Sequence, residues 1–236
     1  EHDALLITEA HNFNGVQWGK DKRYLRNNFT PASQIASLFW DYYEFTGDEE
    51  FLKERAYTFM KKASHFYLDR LEWDEEKNEY FLKASLYESA PIAYVKNPIS
   101  DRNCIERLFK DCIRAAEILN VDKDEVKQWR HVLNHLWEGG YQQFGECGEV
   151  ISPAEEYYTE KRYSPWIWGN GGAVAFPAGL IGIDDKDTRL GKAVVNLLKH
   201  DDECNAHYPY PQIAARMGEG DVALKYICCL LYTSDA

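Results

Sequence analysis

The chain has too little positive charge to bind nucleic acid through phosphate contacts. Its 27 Lys and Arg face 39 Asp and Glu, for a formal net charge of −12, and phosphate binding needs a basic footprint. The same balance gives no basis for attraction to an anionic membrane surface. No apolar run approaches the roughly 20 residues that a membrane span needs. The six cysteines, Cys104, Cys112, Cys147, Cys204, Cys228 and Cys229, include no CxxC pair, so no finger-like zinc site and no metal is expected. Cys104 and Cys112 read instead as small core residues of one helix. No dinucleotide-binding GxGxxG, P-loop, HExxH or GxSxG stands in the chain, and no cofactor is expected.

What is present is an ordinary globular composition with an aromatic excess. Of 236 residues, 45% are hydrophobic, 28% charged and 14% aromatic, with 16 Tyr and 7 Trp. That length suits one sizeable core. Aromatic rings suit both helix contacts and stacking on sugars.

Helical periodicity organises most of the chain. Asn28-Phe29-Thr30 is a glycosylation sequon, but Thr30 before Pro31 reads better as a helix cap. A helix is predicted over 31–45, with Ile35, Leu38, Phe39 and Tyr42 as its apolar stripe. Gly47 stops it and Asp48 caps the next, over 49–71, with Leu52, Ala56, Phe59, Ala63 and Phe66 inward. So short a turn makes the two an antiparallel hairpin. A second hairpin follows. Ser100 is expected to cap a helix over 101–119 with Ile105, Leu108, Cys112, Ile113 and Ala116 on one face. Asp122 and Glu125 are expected to form a capping box before a helix carrying Val126, Trp129, Val132, Leu133 and Leu136. Further helical patterns cover 172–180, 186–199 and 211–216.

Two long stretches interrupt the helices, from Asn78 to Asp101 and from Gly139 to Asn170. Both are too aromatic to read as disordered linkers, and long loops in compact domains are commonly functional. No repeat of 20–50 residues marks a solenoid. Dissimilar loops favour an α/α toroid, in which they meet at one end around a pocket. The expected fold is therefore all-α, a partial (α/α)6 barrel built of helical hairpins with long loops.

Several stretches resemble glycoside hydrolase family 95, the α-L-fucosidase and α-L-galactosidase family with an (α/α)6 barrel. They are the run from Phe39 to Leu52 (FWDYYEFTGDEEFL), that from Asp101 to Phe109 (DRNCIERLF), Ala115 to Leu119, Phe176 to Ile181, and Ala214 to Asp221. The resemblance implies an inverting glycosidase acting on an oligosaccharide or polysaccharide. Its catalytic acid would be Glu88, since the 80–89 loop stands where the family carries a Ser-Pro-Glu loop; this chain has Leu86-Tyr87-Glu88-Ser89 there. His11 and Asn12 stand where the family has a His-His-Asn run near the sugar. Trp166, Trp168 and Asn170 stand where it has a histidine-rich run. Trp18, Tyr87, Glu155 and Glu156 complete the candidate sugar-binding set. A bland reading of Glu88 pairs it with Lys83 or Lys96, and Asp101 reads as a first-turn carboxylate favoured by the helix dipole. The resemblance also suggests a secreted or periplasmic protein, with the compartment otherwise open.

The alternatives on the same toroid are a glycoside phosphorylase, a polysaccharide lyase using Tyr87, Tyr158, His11 or Arg162, and a non-catalytic carbohydrate-binding domain. The chain begins at Glu1 without Met or a signal-peptide pattern. Residues 229–236 resemble a translated sequencing adapter. Residues 1–228 are thus expected to be a fragment of a single catalytic domain, inactive alone, with 229–236 a non-native tail and the general base outside the chain.

Overall fold

The computed structural model describes residues 3–7, 29–86, 94–158, 170–199 and 209–233. The first helix, α1, spans Thr30–Thr46. It opens one residue earlier than expected, because Thr30 lies inside it and donates no cap; Pro31 fills the first turn, where a missing N–H costs nothing. Gly47 ends it at φ 67°, and its N–H bonds to the Tyr43 carbonyl at 2.8 Å. Asp48 then caps the next helix as expected, accepting the Phe51 N–H at 2.9 Å.

That helix, α2, consists of Glu49–Phe51, a π-helical stretch Leu52–Ala56, and Tyr57–Arg70. The π turn takes an extra residue per turn, so the buried face moves on by one position. Met60 and Tyr67 are fully buried where Phe59 and Phe66 were expected, and those two rings are only partly buried. The stripe expected on α1 is corrected more sharply. Ala32, Ser33, Ala36, Ser37 and Trp40 are its buried residues, while Leu38 is 65% exposed and Tyr42 47%. Small side chains allow close approach of the neighbouring helix, and that geometry outweighs the hydrophobicity of the opposite face.

The neighbour is α3, Ile99–Leu119, which packs on α1, on α2 and on α4, Lys123–Asn134. Ser100 does not cap α3. The helix begins after Pro98 with no side-chain cap, and Ser100 is buried within its first turn. The expected inner face holds: Ile105, Leu108, Cys112, Ile113 and Ala116 are all buried. Asn120 ends the helix in the left-handed region at φ 53°, which Asn tolerates better than most residues.

No capping box forms at Asp122. Its carboxylate instead accepts the Tyr57 hydroxyl at 2.7 Å and pairs with Lys61 at 2.9 Å. Glu125 pairs with Lys61 at 3.3 Å and contacts His65 Nε2 at 3.1 Å. A tertiary partner with a full charge outcompetes the local backbone amide. The buried Trp129 of α4 donates to Ser64 Oγ at 3.1 Å, so the indole N–H is satisfied inside the core.

The two stretches between helices contain short strands rather than irregular loop, so the structure is mostly helical but not purely so. The first, which starts at Leu71 rather than Asn78 because the helix ends at Arg70, holds β1 (Glu72–Asp74), β2 (Glu79–Phe81), β3 (Lys83–Ser85) and β4 (Tyr94–Lys96). The second holds β5 (Tyr141–Phe144), β6 (Gly148–Ile151) and β7 (Glu156–Tyr157). β1 pairs with β2, and β5 with β6, as antiparallel hairpins; β3, β4 and β7 form a three-stranded antiparallel sheet in that order. Strands of three residues carry too little alternation to be read from sequence.

In the last third, the pattern over 172–180 is not an α-helix. A 3-10 turn, Asn170–Val174, gives way to turns. Gly172 explains the close packing: a Cβ there would stand 2.3 Å from Ile213 Cδ1. Then come α5 (Arg189–Leu197), α6 (Tyr210–Arg216) and α7 (Gly220–Thr233). One core lies among α1 to α4; a second lies among the 3-10 turn and α5 to α7.

The ends of these helices fix which loops share a side. Tyr67, near the end of α2, donates to the Phe29 carbonyl at the start of α1 (3.0 Å) and lies 3.5 Å from Asp101 at the start of α3. α1 and α3 therefore start at the same end and run parallel. Tyr57 and Asp122 likewise join the early part of α2 to the start of α4. Both strand-bearing stretches leave from one end of the helix layer. If this packing is right, Leu108→Ala lowers the unfolding free energy by about 2–5 kcal/mol. Leu38→Ala, on the stripe that sequence favours, changes it by less than about 0.5 kcal/mol; urea denaturation of both variants tests the assignment.

Candidate active site

At this shared end the two interhelical stretches are joined into one frame. β4 lies between β3 and β7, with Val95 opposite Tyr157 and Lys96 opposite Glu156. Backbone bonds extend the seam on both sides. Glu155 N–H donates to the Lys96 carbonyl (3.0 Å), Tyr158 N–H to Tyr94 (3.0 Å), and Ile99 N–H to Pro153 (2.8 Å). Leu86, Val95 and Ala154, all buried, make a small apolar cluster under the seam with Tyr157 against it.

A buried polar knot locks the seam. Asn97 sits at φ 50° and is 4% exposed. Its N–H donates to the Leu82 carbonyl at 2.7 Å, its side-chain oxygen accepts the Leu82 N–H at 2.9 Å, and its Nδ2 donates to Glu155 Oε2 at 2.6 Å. Glu155 also accepts from Lys77 Nζ and pairs with Lys96 Nζ at 3.5 Å. Lys96 is itself 8% exposed, pairs with Asp74 at 3.2 Å, and lies 4.7 Å from the centre of the Phe81 ring. Burial works to raise the Glu155 carboxyl, but the bonds from Lys77 and Asn97 and the lysine charges outweigh it and hold it below the ordinary carboxylate range. Glu155 is thus an ionised crosslink with both oxygens committed, drawing its partners from the first stretch while standing on the second.

Of the candidate sugar-binding residues, Glu156 is exposed on β7, beside Glu155. Asn170 opens the 3-10 turn. Glu88, Tyr87, His11, Asn12, Trp18, Trp166 and Trp168 lie outside the described residues, as does Arg162. Tyr158 is 43% exposed, with its ring 5.9 Å from that of Tyr94. The two lysines proposed as bland partners for Glu88 already hold other carboxylates: Lys83 pairs with Glu72 at 3.2 Å, and Lys96 with Asp74 and Glu155. Lys77, Asp74 and Asn97 were not singled out from the sequence, and Lys96 was considered only as a partner for Glu88. An Asn directly before Pro98 was the one available signal, since Asn is the commonest non-glycine residue at positive φ.

Asp101 stands at the same end, 1% exposed and with Tyr67 and Ser100 hydroxyls at 3.5 and 3.4 Å. Burial pushes its carboxyl up to about 7, against the smaller pull of those hydroxyls. It is a core residue that ties three helix ends together, rather than a solvated first-turn charge.

The shift has a signed consequence. Folding raises the Asp101 pKa above its unfolded value near 3.8, so the native state binds the extra proton. The stabilising contribution is complete below about pH 4 and is lost as pH rises through about 7. Asp101→Asn, which cannot ionise, should remove its share of the stability-pH slope between those limits, up to roughly 4 kcal/mol, while Asp111, which burial also raises to about 7, keeps its own. Chemical denaturation at pH 4.5 and pH 8 measures it. An unchanged slope would remove Asp101 as the cause.

Comparison with known proteins places the sequence in a family. The protein-glucosylgalactosylhydroxylysine glucosidase of Dictyostelium discoideum is 22% identical over 177 residues, which cover 65% of this chain and 24% of that protein. The chain thus spans about a quarter of the length of the curated relative it matches. The model of the glycosyl hydrolase family 95 catalytic domain matches residues 5–234. With nearly its whole length inside that match, the chain belongs to glycosyl hydrolase family 95.

Proposed function

We propose that this chain is part of an inverting exo-glycoside hydrolase, with Glu88 as the general acid, acting on an oligosaccharide or polysaccharide. One observation carries the reading beyond family membership. The strands on either side of the Glu88 stretch, β3 and β4, are fastened to the second stretch by β7 and the Glu155 knot. A catalytic acid needs a fixed place relative to the sugar, and rigid elements at the base of a loop supply one.

Parallel α1 and α3, with α2 and α4 antiparallel to them, fit the alternation of an (α/α)6 barrel. We read residues 1–228 as part of a single catalytic domain of that kind. Inversion asks for two carboxyl groups roughly 6.5–9.5 Å apart. One protonates the departing glycosidic oxygen, and the other takes a proton from the water that attacks the anomeric carbon from the opposite face. Glu88, next to Leu86 and Tyr87, is suited to the first task, because apolar neighbours favour the protonated acid. The second carboxylate is not assigned among the residues of this chain. Family resemblance suggests an α-L-fucoside or α-L-galactoside, whereas the Dictyostelium relative is by name a glucosidase; all three sugars belong in the substrate panel.

In the intact protein, Glu88→Gln should lower turnover of the best glycan by at least about 10²-fold without changing the fold. Nuclear magnetic resonance of the first product should show the inverted anomer. Undiminished activity in Glu88→Gln would overturn the assignment. Turnover that depends on phosphate, or an unsaturated product, would instead make the protein a phosphorylase or a lyase.

A further inference from the structure

One aromatic cluster carries chemistry outside the candidate active site. His131 and His135 lie one turn apart at the end of α4, and their ring centres are 4.4 Å apart with planes inclined at 49°. We propose that they form a binding site for a divalent transition-metal ion, of the copper or nickel class, completed by water.

Three observations support a ligand rather than two incidental side chains. First, the spacing fits. Imidazole nitrogens bind such ions at about 2.0–2.1 Å, which places each ring centre about 3.2 Å from the ion; a right angle between the two then separates the centres by about 4.5 Å. The observed 4.4 Å between ring centres is close to this cis separation, which belongs to square-planar and octahedral ions.

Second, the tautomer of one ring is set. His135 Nδ1 lies 2.8 Å from the His131 carbonyl oxygen. A carbonyl can only accept, so Nδ1 carries the proton and Nε2 keeps its lone pair. A ring nitrogen fixed to a backbone carbonyl is the usual outer support of a metal-ligating histidine.

Third, the rings are held from outside while His131 remains open to solvent. Trp73 stacks on His131 at 6.1 Å and meets His135 edge-on at 5.6 Å; Tyr80 stands edge-on to His131 at 5.7 Å. The Tyr80 N–H donates to the His135 carbonyl at 2.7 Å, which pins the β1–β2 hairpin to this helix end. The end of a helix, with its outward carbonyls, favours a cation.

Among the described residues no third His, Cys, Asp or Glu joins the pair. The site therefore has two protein ligands and open positions, unlike a closed structural centre. Its occupation would brace the last turn of α4, on which the hairpin rests. This proposal does not depend on Glu88 or on hydrolysis.

Isothermal titration of the intact, chelator-treated protein with copper(II), nickel(II) and magnesium chlorides tests it. At pH 7.5 one site is expected, tighter for copper than for nickel and absent for magnesium. Affinity should fall at pH 5.5, where imidazoles take up protons. His131→Ala and His131→Gln should each weaken copper binding at least about tenfold, with the metal-free far-ultraviolet circular dichroism spectrum unchanged. Affinity that survives in both variants, or that follows neither the ion order nor the pH, would overturn the site.

Discussion

The joining of the two strand-bearing stretches depends on one half-buried carboxylate. Glu155 stands on the second interhelical stretch, and its hydrogen-bond and charge partners, Asn97, Lys96 and Lys77, stand on the first. Without it, β4 and β7 share a short seam in which buried Lys96 and the exposed Lys77 lose a common counterion. Lys96 would then keep Asp74 alone as its carboxylate partner, so the knot resists partial opening. Asn97 contributes the geometry. In the left-handed region, its backbone and side chain together grip both polar groups of Leu82. The chain is thereby turned into Pro98 and the start of α3.

The helices below provide the platform. Tyr67 links the starts of α1 and α3 to the end of α2, and the protonated form of Asp101, favoured by burial, can hydrogen-bond there without an unpaired charge. The other end is fastened by Asp122 and Glu125 against Tyr57, Lys61 and His65. One end of the layer thus carries the strand-bearing stretches, and the opposite end carries ionic staples. That division is what a pocket built from loops on rigid helices needs.

Much of the helical frame was legible in the sequence. The turn at Gly47 and Asp48, the buried face of α3 and the stop at Asn120 follow from local rules that tertiary packing left intact. Three features were not legible, for identifiable reasons. The π stretch in α2 rotates the residues after Ala56, so a straight 3.6-residue period selects Phe59 and Phe66 over Met60 and Tyr67. On α1, small residues define the contact and the large apolar ones face away. Asp122 gave its carboxylate to Tyr57 and Lys61, 65 and 61 residues away in sequence, rather than to its own helix. The candidate site was less legible still. Glu155 was singled out as a sugar contact, but its cross-stretch partners are set by pairing of strands two or three residues long. The His131 and His135 pair is passed over by a search that starts from CxxC.

The central claim is that the two stretches form a single unit held by Glu155. Hydrogen exchange of the intact protein, compared with its Glu155→Gln variant, tests that most directly. If the knot holds the frame, protection falls together at Leu82, Val95, Asn97, Ile99 and Tyr158, while amides within α3 keep theirs. Loss of protection confined to residues 153–158, with Leu82 and Asn97 as slow as before, would contradict it.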